Sequence, residues 1–345
     1  MRTLKNLIAD QRMKVALALA GGIALLAIWL VIVDERQVMH RLARLDLRWL
    51  GGFTLLWLGA AFLRSLRWRT ILARVAPVRS GETFAGFMAC MLVNFLIPLR
   101  VGEVVAGLAL KRRRGIPFAQ SLPSQALDRL FDLTPVVPAI LLVFALQGEA
   151  ALRLRIILAF VAIVFVALSA VVVITMTRPD KAAALARRAF SLLPSGLRGR
   201  AEDFVVHCLK GLSGLRLPAA TSVGLIGITF LALAMDSVAL GMIFRGLGYQ
   251  IAPAVVLTGY TLIFLSSALP RPPGQVGSLE LLFVLIFSGL LGVDRDVAGA
   301  AVLVGHSMIA MILAVTGSLS LFALGIHSVS IVREHLPSAS TNEAS

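Results

Sequence analysis

Two long apolar stretches that break in the middle constrain this chain more than any other feature. Residues 83–110 are interrupted at "PLRVG" (98–102), and residues 251–292 at "LPRPPGQVG" (269–277). Proline removes a backbone donor, and glycine weakens a helix. Hydrocarbon offers no water to a freed peptide group, so such a break survives only where protein or a water-filled cavity covers it. Each stretch is therefore read as a re-entrant hairpin: two half-helices that enter and leave on the same side of a membrane.

Six further stretches run without a comparable break: 15–33, about 48–66, about 120–146, about 153–177, about 219–245 and about 296–325. Each meets the roughly 20 apolar residues that a crossing helix needs. Composition agrees, with 58% hydrophobic residues, 15% charged residues and a mean hydropathy of +0.90. Soluble domains carry about 25% charged residues. The expected fold is all-α: a polytopic integral membrane protein of about six spanning helices plus two re-entrant hairpins in an inverted repeat. Residues 1–325 form one domain, with repeats at about 83–146 and 251–325, and the polar tail 326–345 is expected to be disordered.

The net charge of +15 would suggest nucleic acid in a soluble chain, but here basic loops facing anionic inner-leaflet lipid explain it without a nucleic-acid partner. With a cytoplasmic N-terminus, segments 1–14, 64–79, 111–114, 178–218 and the tail hold 22 Lys and Arg on the inner side, against 8 outside. That asymmetry predicts a multi-pass protein of the cell (inner) membrane. The run 15–33 follows Arg2, Lys5, Arg12 and Lys14 with no small-residue cleavage site, so it reads as a retained helix. Residues 178–218 mix basic and apolar residues at helical spacing, as amphipathic surface helices or a solvated linker would. Cys90 and Cys208 are the only cysteines and suggest neither a disulfide nor a metal site.

The breaks are related to each other. Glu103 precedes Gly115 by twelve residues, and Glu280 precedes Gly292 by the same interval; Arg129 and His306 share the offset of 177. Inverted repeats with discontinuous helices are a transporter arrangement, with the site near the midplane. Charges expected at membrane depth are Arg100, Glu103, Asp128, Arg129, Asp132, Asp236, Arg271, Glu280 and His306. Each costs a few kcal/mol or more unless paired or wet. Asp128, Arg129 and Asp132 share a helix face and either staple that helix to the first hairpin or, with Arg100 and Arg271, hold a phosphate headgroup. Glu103 and Glu280 either cap half-helices or carry protons; Asp236 pairs across helices or titrates. His306 reads more simply as a helix–helix hydrogen bond. No zinc spacing, Walker loop or hydrolase elbow occurs, and no cofactor is implied.

The stretches "NFLIPLRVGEVV…RRRGIPFAQSLPSQALDRLFDL" and "LPRPPGQVGSLE" resemble the two signature regions of the lysylphosphatidylglycerol synthase transmembrane family, a flippase-like domain, over roughly residues 15–325. Asn94, Pro98, Arg100, Gly102 and Glu103 match the first motif, and Asp128, Arg129 and Asp132 the following helix. Pro270, Pro273, Gly274, Gly277 and Glu280 match the second. Asp128 stands where the family often has Glu, and His306 where Arg or a Tyr-Arg pair is common. The resemblance implies lipid translocation without synthase activity, since the bifunctional members' soluble C-terminal domain is not represented here. The expected substrate is a phospholipid, aminoacylated or not, or a lipid-linked molecule, bound by Asn94, Arg100, Glu103, Asp128, Arg129, Asp132, Arg271, Gly274 and Glu280, with homo-oligomers allowed. Proton coupling through Glu103, Asp236 or Glu280 fits as well as uncoupled scrambling. A membrane enzyme acting on lipid headgroups, or a non-transporting partner of lipid-synthesis enzymes, are the alternatives.

Overall fold

The computed structural model describes residues 20–97, 101–139, 149–190, 212, 214, 215, 217–267 and 271–326, and among them there is no strand. The helices are α1 (Ala20–Ile32), α2 (Glu35–Ala43), α3 (Arg48–Leu72), α4 (Ser80–Leu96), α5 (Gly102–Arg114), α6 (Phe118–Asp132), α7 (Glu149–Thr177), α8 (Pro179–Phe190), α9 (Ala219–Gly246), α10 (Pro253–Ser266), α11 (Ser278–Val284), α12 (Arg295–Ile312) and α13 (Ser318–Ala323). A π-helical segment, Leu285–Leu290, prolongs α11, and a second, Leu313–Gly317, joins α12 to α13.

Polarity runs inside out. On α9, Val223, Leu231 and Val238 are more than half exposed, while Thr229 and Asp236 are 2% exposed. Leu55 on α3, Ile163 on α7 and Phe322 on α13 are likewise outward-facing. Water would penalise such a surface by about 25 cal/mol per Å² of apolar area, whereas acyl chains cover it without cost. Four helical stretches are long and apolar enough to cross a membrane: Arg48–Leu72, Ala219–Gly246, Pro273–Leu290 and Arg295–Ala323. This is a multi-pass membrane protein.

The centre of the fold is the pair α3 and α9. Gly52 lies against Met242, Gly59 against Met235, Arg67 against Thr229 and Arg74 against Thr221. Numbers rise along one helix as they fall along the other, so the two run antiparallel. Each is followed by a helix, a break and a second helix. After α3 come α4 and α5, which pack together; the Arg114 guanidinium forks onto the Glu82 carboxylate, at 2.9 and 3.0 Å in its shortest contacts, and ties their outer ends. After α9 come α10 and α11, where Gly259 sits beneath the Phe287 ring. At 1.5 Å per residue, arms of 17, 13 and 14 residues for α4, α5 and α10 are about 20–25 Å long, short of the roughly 30 Å hydrocarbon core, whereas the fourth arm, Pro273–Leu290, is among the stretches long enough to cross.

Glycine is required at both breaks for different reasons. A β-carbon on Gly102 would lie 2.2 Å from the Cys90 carbonyl, because α5 starts in contact with the α4 backbone. Gly277 has φ +76° and presses on α1: a β-carbon there would meet the Gly22 carbonyl at 2.1 Å.

Two expected spans differ from the structure. The stretch 48–66 belongs to a helix that continues to Leu72, so Arg64 and Arg67 lie within a membrane helix and not in a basic loop. The stretch 120–146 is not continuous: α6 ends at Asp132, and a turn over 133–135 separates it from helix resuming at 136. Pro135 has no N–H for the ladder and its ring crowds the carbonyl four residues back, while the Thr134 hydroxyl donates to that same Phe131 carbonyl. Within 178–218, α8 is helical as expected; residues 191–211 and the tail beyond 326 lie outside the described residues.

Candidate functional site

Arg67 organises the polar interior. Its side chain is fully buried. Nε and Nη2 donate to the two Asp128 carboxylate oxygens at 2.8 and 3.1 Å. Nη2 also donates to Asp132 at 2.6 Å, and Nη1 to the Thr229 hydroxyl on α9 at 2.8 Å. A guanidinium out of water is tolerable only with such a fork of charge-assisted bonds. Asp128 and Asp132, four residues apart, both reach it because α6 presents them on one face. One turn away, Arg64 pairs with Asp236 across the α3–α9 contact and lies over the Phe264 ring, 5.1 Å from its centroid.

Arg129 faces the first break. It bonds Asp132 at 3.1 Å and lies 3.5 Å from Glu103, with 29% of its side chain exposed. Asn94 closes the break itself. The Gly102 N–H can only donate, so it fixes Asn94 Oδ1 as its acceptor at 2.8 Å and turns the Asn94 amide nitrogen to the Glu103 carboxylate at 3.1 Å. Gln125 donates to the Glu103 carbonyl at 3.0 Å. Beside these groups lies a small cleft lined by Trp68, Phe87, Cys90, Gln125, Asp128 and Arg129.

The second break carries its own set. His306 Nδ1 lies 2.5 Å from Glu280 Oε1, and Nε2 lies 2.7 Å from the Gly274 carbonyl at the hairpin tip. Arg271 donates to Gln275 at 2.6 Å and to the Ser266 hydroxyl at 2.7 Å. The two sets adjoin at the end of α4, where Asn94 serves the first break and the neighbouring Phe95 meets the His306 ring edge-on at 5.7 Å. The tip Pro273–Gln275 packs against α4 as well.

The structure thus gathers Asn94, Glu103, Asp128, Arg129 and Asp132 into one network. Glu280 and Gly274 belong to the second set, with Arg271 nearby, and Asp236 pairs with Arg64. Gly102, Pro273 and Gly277 stand at the breaks as expected; Pro98, Arg100 and Pro270 lie outside the described residues. His306 makes the helix–helix hydrogen bond expected of it, to Glu280 on α11, and its second ring nitrogen also meets the Gly274 carbonyl. Arg64 and Arg67 escaped the sequence reading because they were assigned to a basic loop. Their signal was present in "FLRSLRWRTIL", where apolar and aromatic residues continue past both arginines at a helical spacing of three. Among the described residues no group of His, Cys, Asp and Glu could hold a metal ion.

Known proteins resemble this one as follows. The family described as the lysylphosphatidylglycerol synthase TM region matches residues 15–317. The protein named glycosyltransferase AglD of Haloferax volcanii is 24% identical over 354 residues, covering 94% of this chain and 56% of that protein. This chain therefore spans little more than half of that relative's length. A UPF0104 membrane protein of Methanothermobacter thermautotrophicus is 27% identical over 260 residues, covering 72% of this chain and 75% of that protein. No solved structure matches.

Proposed function

This chain belongs to the lysylphosphatidylglycerol synthase TM region family, and on that premise we propose that it moves a phospholipid or lipid-linked substrate between membrane leaflets. One observation carries the reading. At the same offset of 177 residues, two broken hairpins place a carboxylate against a cationic or protonatable partner, Glu103 with Arg129 and Glu280 with His306. The hairpins follow helices that run antiparallel. Such a pair of halves is an inverted repeat, and alternating access is the motion that such halves support. The headgroup would sit beside Arg129 and the α4–α5 break while the acyl chains stay in the bilayer. The cleft has room for little more than a water, so admitting a headgroup requires the halves to part.

Charge bears on the headgroup. The first set holds Glu103, Asp128, Asp132 and Asp236 against Arg64, Arg67 and Arg129, one negative charge in excess if all are ionised. A phosphate needs another cation there, and Arg100, between the two arms in sequence, is the residue proposed to supply it. The protein would sit in the cell membrane with its N-terminus cytoplasmic and its basic loops on anionic lipid.

The name of the Haloferax volcanii relative favours a second reading, in which this chain acts on a lipid headgroup as an enzyme or serves lipid-synthesis enzymes without transporting. Reconstitution in liposomes with a dithionite-quenchable lipid separates them. Translocation predicts loss of the protected half of the signal, abolished in Arg129→Gln and Glu103→Gln. In Arg100→Gln, translocation of anionic lipids should fall more than that of zwitterionic ones. Lipid movement unchanged in all three variants overturns the site; no movement of any lipid tested favours the second reading.

A further inference from the structure

The counterpart pairs differ in one chemical respect: a guanidinium such as that of Arg129 is a permanent cation, whereas an imidazole such as that of His306 can hold one hydrogen or two. The geometry around His306 dictates how many protons its pair holds. The Gly274 carbonyl can only accept, so Nε2 must carry hydrogen. A carboxylate 2.5 Å from Nδ1 then requires one proton between them, whether it rests on the ring or on Glu280. Without it, the Nδ1 lone pair would face an anionic oxygen at hydrogen-bond distance. The other carboxylate oxygen, Oε2, is buried and has no hydrogen-bond partner, so Glu280, 3% exposed, takes no compensating bond elsewhere.

The same imidazole holds the tip of the second hairpin to α12. Gly274 and Gln275 both have positive φ (66° and 58°), a turn whose carbonyl is aimed at α12 and held there by Nε2. The other charged groups nearby have partners of their own. Arg271 on the tip bonds Gln275 and Ser266, and Arg64 pairs with Asp236 across α3 and α9. On α4 the Asn94 amide is turned to Glu103, which faces Arg129, and Phe95 presents only its ring. From α10, Tyr260 stacks on Phe264. The α1 residues Ala20–Ile32 include no ionisable side chain. The ion pair Arg41–Asp294 and the Asp296 carboxylate, which accepts from the Asp34 N–H, lie at the start of α12, about 15 Å from His306 along the axis.

We propose that Glu280 and His306 form a proton-binding latch: one exchangeable proton shared by the pair ties the second hairpin tip to α12. The first hairpin is held by the permanent Glu103–Arg129 pair. Releasing the proton to water leaves Glu280 anionic and His306 neutral; the carboxylate and the Nδ1 lone pair then repel, the ring turns, and the Gly274 carbonyl is freed. Coupling of this latch to lipid movement rests on the translocation reading above; proton binding and tip release do not.

The test uses the full chain in lipid nanodiscs, with Cys90→Ser, Cys208→Ser and Val276→Cys and a nitroxide on the new thiol. Measured over the pH range in which the protein stays folded, the ratio of immobilised to mobile spectral components should follow a single transition of about tenfold per pH unit, as a one-proton equilibrium requires. His306→Arg, which reproduces the first repeat's pairing, should stay immobilised across that range. His306→Gln should remain mobile throughout and covers the case in which the arginine variant does not fold. A spectrum independent of pH in the parent, or a pH response persisting in His306→Gln, overturns the latch. The same samples in liposomes keep the two proposals apart: lipid movement with a flat spectrum sinks the latch alone, and a titrating tip without lipid movement sinks translocation alone.

Discussion

At the scale of single residues, Arg67 carries the strongest energetic consequence. It bridges the buried Asp128 and the partly buried Asp132, so truncation leaves Asp128 without its cation in a low-dielectric interior. Arg67→Met should lower stability by about 3–5 kcal/mol, the usual penalty for breaking a buried pair, read as a drop in thermal midpoint in detergent. The matched double variant Arg67→Met with Asp128→Leu should lose less than the two single changes summed, because neither charge is then left alone. Additivity would show that the fork is not the interaction that matters. Asn94 makes a different prediction. Asn94→Ala leaves the Gly102 N–H and one Glu103 oxygen without partners, about 1–3 kcal/mol by the cost of unsatisfied buried groups. Asn94→Asp should be worse, since it sets a second anion beside Glu103; equal midpoints for the two variants would contradict the arrangement. The carboxylates of this network could be picked out from sequence, because a charge in an apolar run is conspicuous. Their partner Arg67 was hidden because an arginine near a helix end looks the same whether it snorkels to water or turns inward.

Elements set the tolerances next. The α4–α5 and α3–α9 contacts both place a glycine against the neighbouring helix, but the two glycines meet different groups. At Gly102 the obstacle is the Cys90 backbone carbonyl, 2.2 Å from a β-carbon, and nothing there can yield without separating the arms. At Gly59 the obstacle is the end of the Met235 side chain, 2.5 Å away and flexible. Gly102→Ala should therefore abolish a stable fold or shift its midpoint severely. Gly59→Ala should be near neutral or slightly stabilising, since alanine is the better helix former by about 1 kcal/mol. A comparison of detergent-solubilised yield and melting for the two decides it, and a harmless Gly102→Ala would mean the arms are not packed as described. Both breaks could be located from Pro and Gly alone. What each break packs against could not: the first leans on its own α4, the second on α1, more than 240 residues earlier in the chain.

For the whole molecule, the decisive geometry is that α3 and α9 are antiparallel and each is followed by a helix, a break and a second helix. If the breaks are re-entrant, the turns at 73–79 and 115–117 open to one side of the membrane, and those at 247–252 and 291–294 to the other. Single cysteines in those turns, probed in intact cells with a membrane-impermeant maleimide, should label in two sets of two. Splitting the first set would overturn the hairpin reading of α4 and α5. The chain alone determined that this is a helical membrane protein, that two of its apolar stretches break, and that the breaks recur with carboxylates at a fixed offset. Hydropathy, proline and glycine act locally or along one helix, so one dimension suffices to read them. Only the tertiary structure decided which charges meet. It brought Arg67 into the interior, paired Arg64 with Asp236 and set His306 between Glu280 and the Gly274 carbonyl. Each of these is a contact between distant segments, and its sign and strength depend on separation and burial, which the sequence order does not encode.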